Sequence, residues 1–410
     1  MSISFHPLRV ASRHSDADAL VVGFDVPDGL RETFDFTPGQ YLTLRAMIEG
    51  VDLRRSYSIC SAPGDGAMRV GIRLLPGGAF SGWAAHSLQV GQTLDVLPPQ
   101  GRFFVPLDAA AQRHVLFIAA GSGITPMLSL IKATLSCEPH TRCTLIYGNR
   151  RLASTMFRTE LDDLKNRHLA RLSIHHVFSR ESQDAALFNG RLDAHRVETF
   201  LHTLVPAASV DEAFVCGPAG MIDDAVTALQ AAGVAPDHVH VERFGDVNAA
   251  TAHHVEARDT DHAQVSLVID GFGRDVEFLL SDASILDAAR RCGLDAPYAC
   301  KAGVCSTCKG KLLEGEVRMD RNFALTPTEV AQGFVLCCQA HPLTSKVVIT
   351  LDQRLSDQRW RAPARPISTA TARAFFAPPP RCLPRKATPA RRWPTWRAPA
   401  ASPSRCCTTT

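Results

Sequence analysis

Three cysteines in one short loop define the chemistry open to this chain. Pro297 to Lys309 reads Pro-Tyr-Ala-Cys-Lys-Ala-Gly-Val-Cys-Ser-Thr-Cys-Lys, which sets Cys300, Cys305 and Cys308 in a C-x4-C-x2-C array, and a further cysteine follows at Cys338. That is the ligand spacing of a plant-type 2Fe–2S cluster, which needs four thiolates converging on two irons. Ala302 and Gly303 let the backbone bend closely around such a cluster. Ser306 and Thr307 are small, so neighbouring amide N–H groups can point at the sulfides. The alternatives are a structural zinc site or buried free cysteines. Zinc sites favour paired C-x2-C knuckles, and unligated cysteines have no reason to keep this spacing. A cluster of this kind moves one electron at a time, so the rest of the chain should hold the electron source.

Two motifs upstream could bind a flavin. In Arg54-Arg55-Ser56-Tyr57-Ser58-Ile59, alternation on a strand lets Arg55 and Tyr57 present a guanidinium and an aromatic ring to one ligand. The guanidinium suits a pyrophosphate and the tyrosine suits the flat body of a flavin; a cross-strand ion pair with a packed tyrosine is the plainer alternative. In Gly77-Gly78-Ala79-Phe80-Ser81-Gly82-Trp83-Ala84, paired glycines and Ser81 precede a helix-like Trp83–Leu88 segment. The geometry is that of an anion site, or of an ordinary capped turn.

Three further stretches suit a dinucleotide. The apolar run His114–Ala120 leads into Gly121-Ser122-Gly123-Ile124-Thr125-Pro126-Met127, which is strand, glycine turn and helix start. The full G-x-G-x-x-G is absent, so these glycines are suggestive only in company. Tyr147-Gly148-Asn149-Arg150, Phe178-Ser179-Arg180 and Cys216-Gly217-Pro218-Ala219-Gly220-Met221 stand at the expected carboxyl ends of strands. Ser179 and Arg180 could hold the 2′-phosphate that separates NADPH from NADH, or Arg180 could be a solvated surface residue.

These residues need three kinds of scaffold. Residues 1–108 show short alternating segments (Leu20–Val26, Tyr41–Ala46, Ser56–Cys60, Met68–Leu74) broken by Gly/Pro turns, which reads as a small antiparallel barrel. Residues 109–245 alternate strands (Thr144–Tyr147, Leu172–Phe178, Ala213–Val215) with helices (Met156–Asn166, Arg191–Phe200, Met221–Ala232), as in an α/β doubly wound parallel sheet. Residues 246–262 are polar and aperiodic, a linker in which His253 and His254 read as solvated. Residues 263–353 form a small α+β domain around the cysteine loop, with a helix Ser284–Cys292 capped by Asp282 or Ser284.

The net charge of +3 conceals an uneven distribution. Residues 354–410 carry 12 Lys+Arg and one acidic residue, Asp357, together with 10 of the 26 prolines and three of the four tryptophans. The remaining 353 residues then sum to −8, which argues against a nucleic-acid partner. The tail cannot build a core and reads as disordered: an out-of-frame extension, or a basic docking arm. Thirteen cysteines do not form a disulfide framework, and free thiols suit a reducing cytoplasm. Met1 to Val22 lacks a signal design and no run of about 18 apolar residues occurs, so neither export nor a membrane partner is expected.

Arg55-x-Tyr57-Ser58, Gly121-Ser122-Gly123-Ile124-Thr125-Pro126 and Cys216-Gly217-Pro218, in that order before a ferredoxin pattern, resemble the ferredoxin–NADP reductase superfamily fused to a plant-type 2Fe–2S domain of β-grasp-like fold. Ile118–Leu128, Thr144–Arg150, Ala213–Ala219, Leu286–Ala289, the cluster loop and Cys338-Gln339-Ala340 are similar to the reductase subunits of bacterial phenylacetyl-CoA epoxidases, which serve multicomponent di-iron oxygenases of aerobic phenylacetate catabolism. The resemblance implies FAD, NADPH and a 2Fe–2S cluster as cofactors and di-iron oxygenase subunits as partners. It implies that Arg55 and the Gly77–Ser81 turn (Gly78, Ser81) hold the FAD pyrophosphate, with Ser56 and Tyr57 along the flavin and Ser58 near its N5. Thr125 and Cys216 would then flank the nicotinamide and Arg150, Ser179 and Arg180 the adenosine phosphate, with Gly121, Gly123, Gly217 and Pro218 binding the same cofactor and the Gly121–Gly123 turn letting backbone approach its pyrophosphate. Ser58 and Cys216 would act at the hydride-transfer centre. The family's fourth cluster ligand precedes Gln-Ala, hence Cys338, although Cys337 is its neighbour. Phe244 is either a flavin-side aromatic or a core residue. A reductase of another oxygenase, a hydroxylamine-type reductase, and a non-catalytic electron-transfer or redox-sensing subunit are the competing readings.

Overall fold

Inward-facing residues at every second position organise the first hundred residues. Leu8 and Val10; Leu20, Val22 and Phe24; Leu42, Leu44 and Ala46; Met68, Val70 and Ile72; and Leu94 and Val96 all meet in one core. They belong to five of six strands, β1 (His6–Asp16), β2 (Ala19–Asp25), β3 (Tyr41–Ile48), β5 (Met68–Arg73) and β6 (Thr93–Val96); β4 (Val51–Ser58) is the sixth, and helix α1 (Ala79–His86) follows β5. The strands run in the order β4-β3-β6-β1-β2-β5. Ile59 bridges to Val70, and the Cys60 N–H donates to the Arg69 carbonyl (2.9 Å), so the edges meet and the antiparallel barrel closes. The computed structural model describes residues 4–245 and 255–352.

The second sheet is parallel, and its central strands are buried on both faces. Its strands are β7 (His114–Ala120), β8 (Arg142–Asn149), β9 (Leu172–Phe178), β10 (Glu212–Gly217) and β11 (Val239–Arg243), in the order β11-β10-β7-β8-β9. Along β7, Val115, Phe117 and Ala119 enter one core while Leu116 and Ile118 enter another, which explains its unbroken apolar run. Helices α2 (Ile124–Cys137), α3 (Arg158–Arg167), α4 (Ala194–Thr203) and α5 (Ala219–Ala231) cover the faces. The strand order reverses at β7, so the crevice between the ends of β7 and β10 is the switch point where such sheets bind ligands.

The third domain packs helix α6 (Ile285–Arg291) on a mixed sheet. Strands β12 (His262–Ile269), β13 (Phe272–Leu279), β14 (Lys309–Glu314), β16 (Phe334–Leu336) and β18 (Lys346–Thr350) lie in the order β13-β12-β18-β14-β16. Strands β15 (Val317–Met319) and β17 (Ala340–Pro342) pair separately, and a short helix α7 (Pro327–Ala331) follows β15. Ser284 is the cap of α6, accepting from the Asp287 N–H at 3.2 Å, whereas Asp282 pairs with Arg291.

Some expected bounds shift. Helix α1 starts at Ala79, ahead of the expected Trp83, because extended Gly78 already caps it. Strand β4 starts at Val51 rather than Ser56, drawn out by its ladder with β3. Phe244 is 40% exposed and so is not a core residue. His253, His254, most of the expected linker and the 354–410 tail lie outside the described residues. No helix among the described residues is long and apolar enough to cross a membrane.

Candidate electron-transfer site

The end of β4 carries the residues expected at a flavin. Arg55 is half-buried, and its hydrogen bond among the described residues runs from Nη1 to the adjacent Arg54 carbonyl (2.8 Å), which leaves outer N–H groups for an anion. The Ser56 hydroxyl pairs with that of Thr43 at 3.1 Å. The Tyr57 ring lies 5.8 Å from Phe80 of α1, so the arginine strand and the glycine turn share one surface. Within that turn the Ser81 hydroxyl accepts from the Leu75 N–H (3.3 Å) and donates to the Gly78 carbonyl (3.4 Å), shaping the loop itself. A forked cation, a largely enclosed aromatic ring and a glycine turn on one surface fit FAD.

Ser58, buried at the strand end, donates to Glu242 Oε2 at 3.1 Å. Glu242 stands beside Cys216 in the β10–β11 register. Barrel and sheet thus bring Ser58, Cys216 and Glu242 together. Glu242 keeps partial solvent contact as a residue, but its carboxyl sits deep among protein atoms, and that burial pushes it up to about 8 against the pull of the Ser58 hydrogen bond. Burial, then the nearby Glu242, push the Cys216 thiol well above its ordinary value, so it stays a neutral thiol. Glu242 escaped the motif reading because β11 is a short, half-exposed strand, although it lies two residues before Phe244 in Val-Glu-Arg-Phe.

Glycines let the backbone close up at the switch point. A Cβ on Gly123 would strike the Cys216 carbonyl, and one on Gly217 would press on Met221 at 2.7 Å. Gly121 takes a left-handed φ of 55°. Thr125, buried in the first turn of α2, donates to the Ser122 carbonyl at 2.9 Å, and extended Pro218 opens α5. At the far end of the crevice, the Ser179 N–H donates to the Asn149 carbonyl (3.0 Å) and the Arg180 N–H to the Arg150 carbonyl (2.9 Å). Exposed Arg150 and Arg180 therefore stand side by side on neighbouring strand ends. The set fits a nicotinamide dinucleotide.

The four thiols of the ferredoxin domain face one another. Cys300 interacts with Cys305 and Cys338, and Cys338 also with Cys308. The hydrogen bonds from Cys305 and Cys338 hold Cys300 well below the ordinary thiol range. The loop bends through positive φ at Lys301 (53°) and Gly303 (73°), and the Ala302 N–H reaches the Cys300 sulfur at 3.4 Å. Gln339 Nε2 donates to the Lys301 carbonyl (3.0 Å), tying the Cys338 segment to this loop. Cys337 is buried in the same core but makes no thiol bond to these cysteines among the described residues, its backbone bonded to Cys308 and Leu286. Four convergent cysteines with an amide aimed at sulfur fit a 2Fe–2S cluster.

The ferredoxin domain packs on the barrel through several contacts. Arg54, 4% exposed, bonds Asp52 (2.8 Å) and Asp295 (2.7 Å), with its guanidinium 4.3 Å from the Tyr298 ring centre. Arg102 forks onto Glu329 and Thr307 donates to Gln100 Oε1 at 3.0 Å. Tyr41 packs on Ala299 and Cys305.

Sequence and structure comparisons converge on these three parts. The family model for the oxidoreductase FAD-binding domain matches residues 12–105, that for the oxidoreductase NAD-binding domain residues 117–227, and that for the 2Fe-2S iron-sulfur cluster binding domain residues 267–343. A component of the 1,2-phenylacetyl-CoA epoxidase of Escherichia coli (strain K12) is 46% identical over 352 residues, covering 86% of this chain and 99% of that protein. The chain belongs to the FAD- and NAD-binding reductases fused to a 2Fe–2S ferredoxin. The ferredoxin reductase component of the 3-ketosteroid-9-alpha-monooxygenase of Rhodococcus rhodochrous is 33% identical, over 81% of this chain and 93% of that protein. The fold of this reductase is also that of phthalate dioxygenase reductase (TM-score 0.52, 24% identity, 84% of this chain and 98% of that one). It is an oxidoreductase that carries electrons from NAD(P)H through FAD to a 2Fe–2S cluster.

Proposed function

We propose that this reductase uses NADPH and delivers its electrons to a di-iron oxygenase that epoxidises phenylacetyl-CoA. The observation that carries the partner is the 46% identity across 99% of the Escherichia coli epoxidase component. The neighbouring Arg150 and Arg180 support NADPH, since paired guanidiniums suit a 2′-phosphate. FAD when bound accepts one hydride, a two-electron step, and the cluster carries electrons singly.

The chain's own residues position these groups. Arg55 holds the pyrophosphate, Ser56 and Tyr57 flank the flavin, and Gly78 and Ser81 shape the turn beneath it. Gly121, Gly123, Thr125, Gly217 and Pro218 admit the nicotinamide, and Ser179 joins the two arginines at the phosphate. Ser58 and Cys216 border the hydride path, with Glu242 as the proton-bearing group beside them. Cys300, Cys305, Cys308 and Cys338 hold the cluster.

The test is NADPH-driven turnover of phenylacetyl-CoA by the purified oxygenase components, with and without this reductase. Oxygen-dependent product only in its presence supports the assignment. Reduction of flavin and cluster without product would move the partner to a different oxygenase.

A further inference from the structure

The Tyr41 hydroxyl is buried and makes no hydrogen bond of good geometry among the described residues, although the Thr307 and Ser306 hydroxyls stand close to it. Leaving such a group unsatisfied costs about 1–3 kcal/mol, so its surroundings call for an acceptor. Those surroundings belong to another domain. The ring packs on Ala299 and Cys305 with Cys300 beside them, and the hydroxyl lies among the Cys305 and Cys300 thiols and the Ser306 and Thr307 hydroxyls.

The position is fixed from several sides. Tyr41 exchanges backbone hydrogen bonds with Gln100 (2.8 and 3.0 Å), and Gln100 Oε1 in turn accepts from Thr307 Oγ1 at 3.0 Å. Thr307 therefore spends its proton on Gln100. Gly101 has φ +114°, and a Cβ there would press on the Tyr41 ring at 3.1 Å, so glycine gives the ring its seat. Tyr41 is also the cross-strand partner of Ser58, which places it between the flavin residues and the cluster loop.

We propose that Tyr41, from the FAD barrel, donates its O–H to a sulfur of the 2Fe–2S cluster held by the other domain and so raises the cluster's reduction potential. A phenol keeps its proton at neutral pH and is a ready donor. The reduced cluster carries one more negative charge, so a donor at sulfur stabilises it more than the oxidised form. The bond biases transfer from flavin to cluster forward, and it exists only while the two domains are docked. The inference rests on the ligand set Cys300, Cys305, Cys308 and Cys338.

Potentiometric titration and electron–nuclear double resonance of the holoprotein test it, with Tyr41→Phe as the variant. Wild type is expected to show a deuterium-exchangeable proton coupled to the reduced cluster that Tyr41→Phe lacks. The variant's cluster potential should fall, moving the flavin–cluster equilibrium about tenfold toward the flavin, about 59 mV for one electron. An unchanged potential with the coupling retained would overturn this inference alone, whereas a wild-type holoprotein without a cluster signal would overturn the ligand set as well. Should the variant lose its cluster, wild type carrying tyrosine labelled with oxygen-17 at the phenol reads the contact directly. Coupling to the label supports the bond, and its absence overturns it.

Discussion

Tyr41 and Ser58 face each other across the β3–β4 ladder, one against the cluster loop and the other bonded to Glu242. One rung of the barrel therefore touches both the Ser58–Glu242 pair and the ferredoxin domain.

Glu242 should give the protein a pH signature. Its carboxyl titrates near 8 in the folded state and at the ordinary 4.5 when exposed, so the folded state holds the proton more tightly. The stability this contributes is complete below about pH 4.5 and is lost as pH rises through about 8. Melting temperature should fall over that window relative to a Glu242→Gln variant, which has no such proton. Parallel curves for the two proteins would contradict the burial argument.

The fourth ligand separates two adjacent cysteines. Cys338→Ser should lose the 2Fe–2S absorbance and iron while keeping FAD, and Cys337→Ser should keep both, because Cys338 interacts with Cys300 and Cys308. Iron content and visible spectra decide it. An intact cluster in Cys338→Ser would transfer the role to Cys337.

Arg180→Ala should raise KM for NADPH about tenfold, or about 1.4 kcal/mol, and leave that for NADH nearly unchanged. The reason is its place beside Arg150 at the ends of β8 and β9. Steady-state kinetics with both nucleotides is the check, and equal effects would remove the phosphate role.

Domain docking should be separable from hydride transfer. The double variant Asp295→Ala/Arg102→Ala cuts two ion pairs between barrel and ferredoxin domain, Arg54–Asp295 and Arg102–Glu329. It should cost roughly 1–2 kcal/mol, since each pair keeps one exposed partner. Rapid mixing should show slower flavin-to-cluster transfer with flavin reduction by NADPH unaltered. Equal rates for both steps in variant and wild type would mean these pairs do not hold the productive arrangement.

What could be read from the sequence follows the range of each interaction. The cluster loop was legible because three ligands lie within nine residues, and the Gly121–Gly123 turn because strand, turn and helix are contiguous. Gln339 carries a local reason too, reaching back to Lys301 only because it adjoins Cys338. Ser58–Glu242 spans 184 residues and depends on how barrel and sheet dock, which no local pattern encodes. Strand β11 has no buried face to make it periodic, so nothing in the local pattern marks its glutamate. Nothing local marks Tyr41 beyond its place in the Tyr41–Ala46 segment, since its polar end meets a domain some 260 residues downstream. The antiparallel barrel, by contrast, shows in alternation alone, apart from β1, where a bulge between Val10 and Ser12 breaks the period.

Anaerobic rapid mixing of the holoprotein with NADPH, followed by flavin absorbance and freeze-quench paramagnetic resonance of the cluster, tests the order of electron flow through this reductase. Oxidised-flavin absorbance should be lost first and the reduced 2Fe–2S signal should appear second, at a rate fast enough to support turnover. Flavin that is reduced while the cluster stays oxidised would contradict it.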